Sequence, residues 1–347
     1  MRKLLTRPTV ATLALASASV SAHAATFTFL SIANNTDLTF NQELGINNFG
    51  QIAGYFGSGA AGHPNKGYTL VPPYGQANFT NENFPGSVQT QVTGINNAGV
   101  TVGFWSNSNL GVGMDSNFGF TNVGGTFTNV INPNTPAVTP SFNQLLGVNN
   151  SNIAVGFYTN AAGVNNGYTY TIASKTFSTN ISDPNAGTAA GQGTTAAAIN
   201  NTMQIAGFYV DSAGVTHGFI DINGAFRTID PAGSTFTQLL GINNNGLADG
   251  DYIDAAGAMH GLLYDLNNNT FQTIDDPLGI GTTTLNGIND LDQLVGFFVD
   301  GNDNTIGLLA TPVATPIPAA LPLFATGLGG LALLGWRRKR KSQAGVA

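Results

Sequence analysis

Three aspartates stand at the same point of three successive copies of a repeated phrase. Asp211, Asp254 and Asp300 each open a four-residue turn, and Asp251 and Asp303 lie beside them in sequence. Five carboxylates are thereby expected along one rim, and clustered carboxylate oxygens suit calcium or another divalent cation. The aligned positions in the first three copies hold Ser58, Asn107 and Asn160. Since Ser, Asn and Asp all favour the first position of a type I turn, turn chemistry is the competing reading. A second oxygen-rich stretch, from Asp265 through Asn267 and Asn269 to Asp276, has the spacing of a calcium loop. Thr270 stands where that loop needs glycine, so a hairpin turn is expected there.

Groups for covalent or acid–base catalysis are sparse. There is no cysteine, and His63, His217 and His260 are the histidines beyond the first 24 residues. His217 and His260 occupy equivalent repeat positions, which point alike instead of converging. Asp183, Asp230 and Asp276 each precede a proline and read as turn residues. No catalytic residue is assigned and a non-enzymatic role is expected. The alternative is a secreted glycan hydrolase or lyase, which would need a close pair of carboxyls with one pKa raised.

What must position these residues is the repeat itself. The phrase reads GINNFGQIAGYF from Gly45, GINNAGVTVGFW from Gly94, GVNNSNIAVGFY from Gly147, AINNTMQIAGFY from Ala198, GINNNGLADGDY from Gly241 and GINDLDQLVGFF from Gly287. The starts are 49, 53, 51, 43 and 46 residues apart, about 48 on average, a period that belongs to repeat architectures. After each GINN turn comes a strand apolar on both faces, such as Ile205 to Val210. A second strand opens with a Gly-aromatic or Gly-aliphatic pair, such as Gly67-Tyr68 and Gly218-Phe219. A third ends at Pro133, Pro184, Pro231 or Pro277, and a fourth is the apolar lead into the next copy. Four strands per copy predict an all-β fold, a six-bladed β-propeller.

The sixth copy stops after its second strand, near Ala310. Its missing third and fourth strands are expected at the other end, as Ala25 to Ile32 and Leu38 to Asn47. Closure of the ring by the N-terminal strands would remove the free sheet edges of an open β-solenoid. The body is therefore placed at residues 25–311.

Charge is unevenly placed. The net charge is −7, but most of the 11 Lys and Arg lie at the two ends, and only Lys66, Lys175 and Arg227 fall in the body against all 18 Asp and Glu. Such a field repels phosphate backbones, so nucleic acid is excluded as a partner.

Residues 1–24 have the three parts of a secretory signal peptide: basic Arg2, Lys3 and Arg7, an apolar run from Val10 to Val20, and Ala22-His23-Ala24 as the cleavage site. Export through the Sec translocon follows. At the other end, a Pro-rich linker (312–318, with Pro316 and Pro318) precedes an apolar segment (319–336) and a basic tail (337–347). Its cluster Arg337, Arg338, Lys339, Arg340 and Lys341 makes the segment a transmembrane helix with its basic end in the cytoplasm.

Two resemblances rest on these residues. The phrase GINxxGxxxGFY, followed by Gly-Val-Thr-His217-Gly-Phe219, resembles the HAF-type extracellular repeat of bacteria, although the histidine position holds Lys66, Phe118, Asn166 and Ile306 in other copies. The C-terminal order resembles a PEP-CTERM sorting signal of the VPLPA-like variant, with Thr315 in place of Val and Ile317 in place of Leu. The resemblances imply an exported protein of a Gram-negative bacterium, held in the inner membrane as an intermediate. An exosortase-type protease would then cleave near Pro316 to Pro318 and release the body to the cell surface or extracellular matrix. The expected role there is a binding or structural module associated with exopolysaccharide or biofilm. No cofactor is implied; calcium at the acidic rim is the one metal the residues suggest.

Overall fold

Each copy of the repeated phrase folds as an inner strand, a tight GINN turn and a second strand antiparallel to the first. The inner strand carries a bulge at the same place in all six copies, between Glu43 and Gly45 in the first and between Leu285 and Gly287 in the last. That bulge explains one conserved feature of the phrase. A Cβ on Gly54, Gly103, Gly156, Gly207, Gly250 or Gly296 would lie 1.9–2.3 Å from the facing carbonyl oxygen, so only glycine fits.

The computed structural model describes residues 26–313. The expected signal peptide with Ala22 and Ala24, the sorting residues Pro316 and Pro318, the membrane segment 319–336 and the basic tail lie outside the described residues. Among the described residues no helix is long and apolar enough to cross a membrane, and the only helical turn is the 3-10 segment Gln76–Asn78.

The fold is an all-β propeller. β1 spans Phe27–Ile32. One sheet holds β2 (Asn41–Ile46), β3 (Ile52–Phe56), β4 (Lys66–Leu70) and β5 (Phe79–Asn81). The next holds β6 (Gln89–Ile95), β7 (Thr101–Ser106), β8 (Phe118–Val123) and β9 (Thr126–Val130). An eight-stranded sheet follows, made of β10 (Asn143–Val148), β11 (Ile153–Thr159), β12 (Asn165–Thr171) and β13 (Thr176–Phe177) with β14 (Gly193–Ile199), β15 (Gln204–Val210), β16 (Thr216–Ile222) and β17 (Ala225–Ile229). Two further sheets hold β18 (Phe236–Ile242), β19 (Leu247–Ile253), β20 (Met259–Asp265) and β21 (Thr270–Thr273), and β22 (Thr284–Ile288), β23 (Leu294–Val299), β24 (Thr305–Pro312) and β1.

Two expectations are corrected. Six separate blades were expected, whereas four four-stranded sheets stand alone and the other eight strands form one sheet. Its two halves are joined where Asn165 of β12 pairs in parallel with Gly193 of β14. The N-terminal strands were both expected to complete the last sheet. Only β1 does so, pairing with β24 from Phe27↔Pro312 to Ile32↔Gly307. The lead strand β2 pairs with β3 and opens the first sheet, because the bulged segment before each GINN turn is the innermost strand of its own sheet. β24 also runs to Pro312, one residue past the expected edge of the body.

Side chains between neighbouring sheets form the core. Tyr68, Phe120, Tyr168, Phe219, Leu262 and Leu308, each following the Gly of its pair in β4 and the equivalent strands, are all fully buried. Burying each such side chain is worth roughly 1.5–3 kcal/mol. Where β1 and β24 meet, Ile32 and Leu309 pack with Ile46, Ile52 and Tyr68 in one cluster.

Around the axis the two asparagines of each phrase form two closed hydrogen-bonded rings. The first amide Nδ2 donates to the backbone carbonyl of the equivalent residue one copy on: Asn47 to Asn96, Asn96 to Asn149, Asn149 to Asn200, Asn200 to Asn243, Asn243 to Asn289, and Asn289 back to Asn47, all at 2.9–3.1 Å. Its Oδ1 meanwhile accepts from its own turn, as Asn149 does from the N–H groups of Ser151 and Ile153. The second residue of each pair accepts at Oδ1 the backbone N–H of its predecessor, closing with Asn244 onto Asp290 and Asp290 onto Asn48. Only an acceptor is needed at that second position, which explains why an aspartate serves there in the sixth copy.

Candidate functional site

The second strand of each copy presents one residue toward the axis just after its glycine, and the inner strand presents a partner across from it. The pairs are Tyr55 with Gln42, Phe104 with Gln91, Phe157 with Gln144, Phe208 with Thr195, Asp251 with Gln238 and Phe297 with Thr284. All but Tyr55 line an axial cavity of about 600 Å³. Toward the GINN turns the axis narrows to a space of about 70 Å³ between the Gly and Ile layers, where a Cβ on Gly45 would lie 3.0 Å from the Cα of Gly94.

The cavity wall is mixed. Phe104, Phe157, Phe208, Phe236 and Phe297 supply apolar surface, while the amides of Gln42, Gln91, Gln144 and Gln238 supply donors and acceptors. Several amides are oriented from outside the cavity. Gln91 Nε2 donates to Asn65 Oδ1 at 2.8 Å, Gln144 Nε2 to Asn117 Oδ1 at 2.7 Å, and Tyr55 Oη donates to Gln42 Oε1 at 2.6 Å.

Repeats five and six break the symmetry. Asp251 stands where the other copies have an aromatic, is 2% exposed, and has an Oδ1 with no hydrogen-bond partner. Burial pushes its carboxyl up to about 7. Asn286 occupies the layer that elsewhere holds Leu44, Thr93, Leu146, Ala197 and Leu240. Its buried Nδ2 also lacks a partner, and it lines the same cavity.

Asp251 was expected on the acidic rim. It lies inside β19 instead, paired with Gln238, because it follows Gly250 as Phe208 follows Gly207. The remaining rim aspartates do open turns. Asp211 Oδ1 accepts from the N–H groups of Ala213 and Val215, Asp254 Oδ1 from Ala256 and Ala258, and Asp300 Oδ1 from Asn302 and Asn304. These turn amides, Val215, Ala258 and Asn304 first, hold all three carboxyls below the usual range. Asp303 closes the turn that Asp300 opens. Among the described residues no three His, Asp or Glu side chains gather in a way that could hold a metal ion. The stretch from Asp265 forms a hairpin turn, with Asp265 Oδ1 accepting from the Asn267 N–H.

His217 and His260 do point alike, each within its own copy. His217 Nδ1 lies 2.7 Å from Asp230 and its Nε2 3.5 Å from Asp211; His260 Nδ1 lies 2.8 Å from Asp275 and its Nε2 3.5 Å from Asp254. Each ring stacks on a tyrosine, Tyr209 or Tyr252. These are clamps between turn and strand. Asp230 is thus a histidine partner as well as the residue before Pro231.

Two further acids lie in the strands, away from any turn. Glu43 takes the place of Val92, Leu145, Leu239 and Leu285, and accepts from Asn41 Nδ2 at 2.9 Å and Tyr68 Oη at 3.1 Å while its Oε2 is unpartnered. Asp249 takes the place of Val102, Val155 and Val295 and is fully enclosed, with both oxygens unpartnered. Burial pushes both carboxyls up to about 8. The signal for all three was available in the phrase alignment, as acids in columns otherwise apolar.

No family model and no curated protein matches the chain. Among solved structures the chain is similar to a lectin from Burkholderia pseudomallei (14% identity, TM-score 0.44, covering 80% of this chain and 83% of that one). It is also similar to a mutant of the Aleuria aurantia lectin in complex with Fucα1-6GlcNAc (11%, 0.43, 84% and 97%) and to a polysaccharide lyase, an ulvan lyase (12%, 0.42, 80% and 79%).

Proposed function

We propose that the protein is an exported glycan-binding module that works at the cell surface or in the extracellular matrix, with the axial cavity as its binding site. The observation that carries this reading is the cavity wall itself: five phenylalanine side chains share one space of about 600 Å³ with amide and hydroxyl groups. Apolar faces with a few fixed polar groups are what a small-ligand site needs, and the volume falls in the range of such sites. A sugar ring offers the matching surfaces, an apolar C–H face and a rim of hydroxyls. In this reading the eight-stranded sheet counts as two blades, β10–β13 and β14–β17, which makes the propeller six-bladed. Export by residues 1–24, an inner-membrane intermediate held by 319–336 and release by an exosortase-type protease would bring the body to exopolysaccharide outside the cell.

The test is retention of the purified mature protein on the producing cell's own exopolysaccharide. The wild type is expected to be retained, and the double variant Phe157→Ala/Phe208→Ala to elute with an unretained control. Equal retention of both proteins would remove the cavity from the reading.

A glycan hydrolase or lyase is the second reading, because Asp249 and Asp251 share one face of β19 and burial raises both carboxyls. Binding is favoured over this. Asp251 alone opens onto the cavity, while Asp249 is enclosed against Gly241, where a Cβ would lie 1.9 Å from its Oδ1. A single reachable carboxyl lacks the partner that glycoside hydrolysis uses.

A further inference from the structure

Resting on the glycan reading of the axial cavity, we propose that Asp251 and Asn286 form its specificity-determining pair. They select one terminal sugar residue through a hydroxyl that donates to Asp251 and accepts from Asn286. The two residues belong to neighbouring strands, β19 and β22, which pack on each other across the fifth and sixth copies. Both line the cavity. Asp251 Oδ1 is a buried acceptor without a donor, and Asn286 Nδ2 a buried donor without an acceptor. Leaving either group unmet costs its full desolvation, so a ligand that meets both is strongly preferred to one that meets neither.

The pairing of an acceptor with a donor decides the ligand chemistry. An ammonium group would satisfy Asp251 but present only N–H donors to Asn286. A carboxylate or sulfate would suit Asn286 and repel Asp251. A hydroxyl has both an O–H and lone pairs, so it serves both residues at once. Elsewhere on the wall Phe157 and Phe208, in the column that Asp251 and Phe297 continue, offer apolar surface for the rest of the ring.

The shape of the axis limits how the sugar enters. Below the cavity the backbones of the glycine layer approach to within Cβ contact and the space falls to about 70 Å³. The wide space lies on one side of this layer only, which suits a site that takes one end of a glycan.

Titration of the mature protein with a panel of free neutral monosaccharides (glucose, galactose, mannose, fucose, rhamnose and xylose) by saturation-transfer NMR tests this. At least one is expected to bind. Asp251→Leu and Asn286→Leu alone, which remove the acceptor and the donor outright, should each weaken that sugar by about tenfold or more. The double variant Asp251→Asn/Asn286→Asp exchanges donor and acceptor, and the hydroxyl can turn round to match, so affinity should return to within about threefold of wild type. No binding by any monosaccharide, or binding by oligosaccharides alone, would overturn the terminal-sugar assignment. Single variants that bind as wild type, or a double variant as weak as the singles, would overturn the pair. If those variants are silent while Phe157→Ala abolishes binding, the cavity reading stands and the pair falls; if Phe157→Ala is silent too, both fall. Circular dichroism melting of each variant separates lost binding from lost fold.

Discussion

Asn289 Nδ2 donates to the carbonyl of Asn47 at 3.0 Å, across 242 residues of chain. That bond is the last of six equivalent ones, and it shows that the ends of the repeat array meet at the axis as well as at the outer edge, where β1 joins β24. Both asparagine side chains are buried, at 3% exposure each, so every amide in the ring stands in a low-dielectric setting with its partner in the neighbouring copy. The GINN phrase is thus an inter-repeat clasp as much as a turn.

The clasp predicts a difference between adjacent asparagines. Asn96→Asp removes an N–H donor that serves both the Asn149 carbonyl and Asn152 Oδ1, and sets a carboxylate against them. A cost of about 3 kcal/mol or more is expected. Asn97→Asp keeps the acceptor on which the second ring depends, as Asp290 already does, and should cost less than about 1 kcal/mol. Urea denaturation of the two variants measures this, and equal costs would remove the ring argument.

Closure predicts the effect of losing β1. A chain lacking residues 26–33 exposes the edge of β24 and takes Ile32 out of the cluster that joins the two ends. It should melt well below the intact body and scatter light on heating, since an unpaired strand edge templates association. A deletion variant that stays monomeric with an unchanged melting temperature would contradict the role given to β1.

Glu43 and Asp249 predict how stability follows pH. Their folded carboxyls titrate near 8, against 4.5 and 3.8 for unperturbed groups, because burial disfavours the charge. The unfolded chain therefore releases these protons first as pH rises. Their contribution is fully present below about pH 4 and is lost as pH rises toward 8, by roughly 5–6 kcal/mol for each. Asp249→Val restores the residue type found at Val102, Val155 and Val295, so it should raise stability strongly at pH 8 and little at pH 4. Chemical denaturation at both pH values decides it; a gain independent of pH would show that the Asp249 carboxyl does not titrate in this window.

Much of the architecture was legible because the GINN phrase marks every copy and the sixth copy is visibly short. The order of strands within a sheet was less so. The strand before each GINN turn is apolar enough to close one sheet or open the next, and only its bulge against Gly54 of the adjoining strand settles that β2 belongs with β3. The asparagines looked like turn residues because their Oδ1 atoms do serve the local turn; five of the six Nδ2 bonds join residues 43–53 positions apart and the sixth spans 242, beyond any local pattern. Asp251 was drawn to the rim by its nearness to Asp254. Alignment with Phe208, one column after the glycine, would have placed it in the cavity. The Asp254 and His260 clamp depends on a turn and two strands meeting, which spacing alone did not reveal.

That clamp carries the last prediction. Burial by itself would lower the His260 pKa, but the hydrogen bond and charge of Asp275, with Asp254 on the other side, outweigh it and raise the pKa above 6.5. A histidine raised on folding stabilises fully below its unfolded value, and that stabilisation is lost as pH rises through the folded one. Replacing His260 by Asn, the residue at the aligned position 166, should therefore lower the melting temperature more at pH 5.5 than at pH 8.5. Arginine or lysine elsewhere does not supply the effect, because Asp254 and Asp275 are the charged groups bonded to this ring. Thermal melts of wild type and His260→Asn at the two pH values measure it. An equal loss at both would reduce the clamp to ring stacking on Tyr252, which does not depend on charge state in this way.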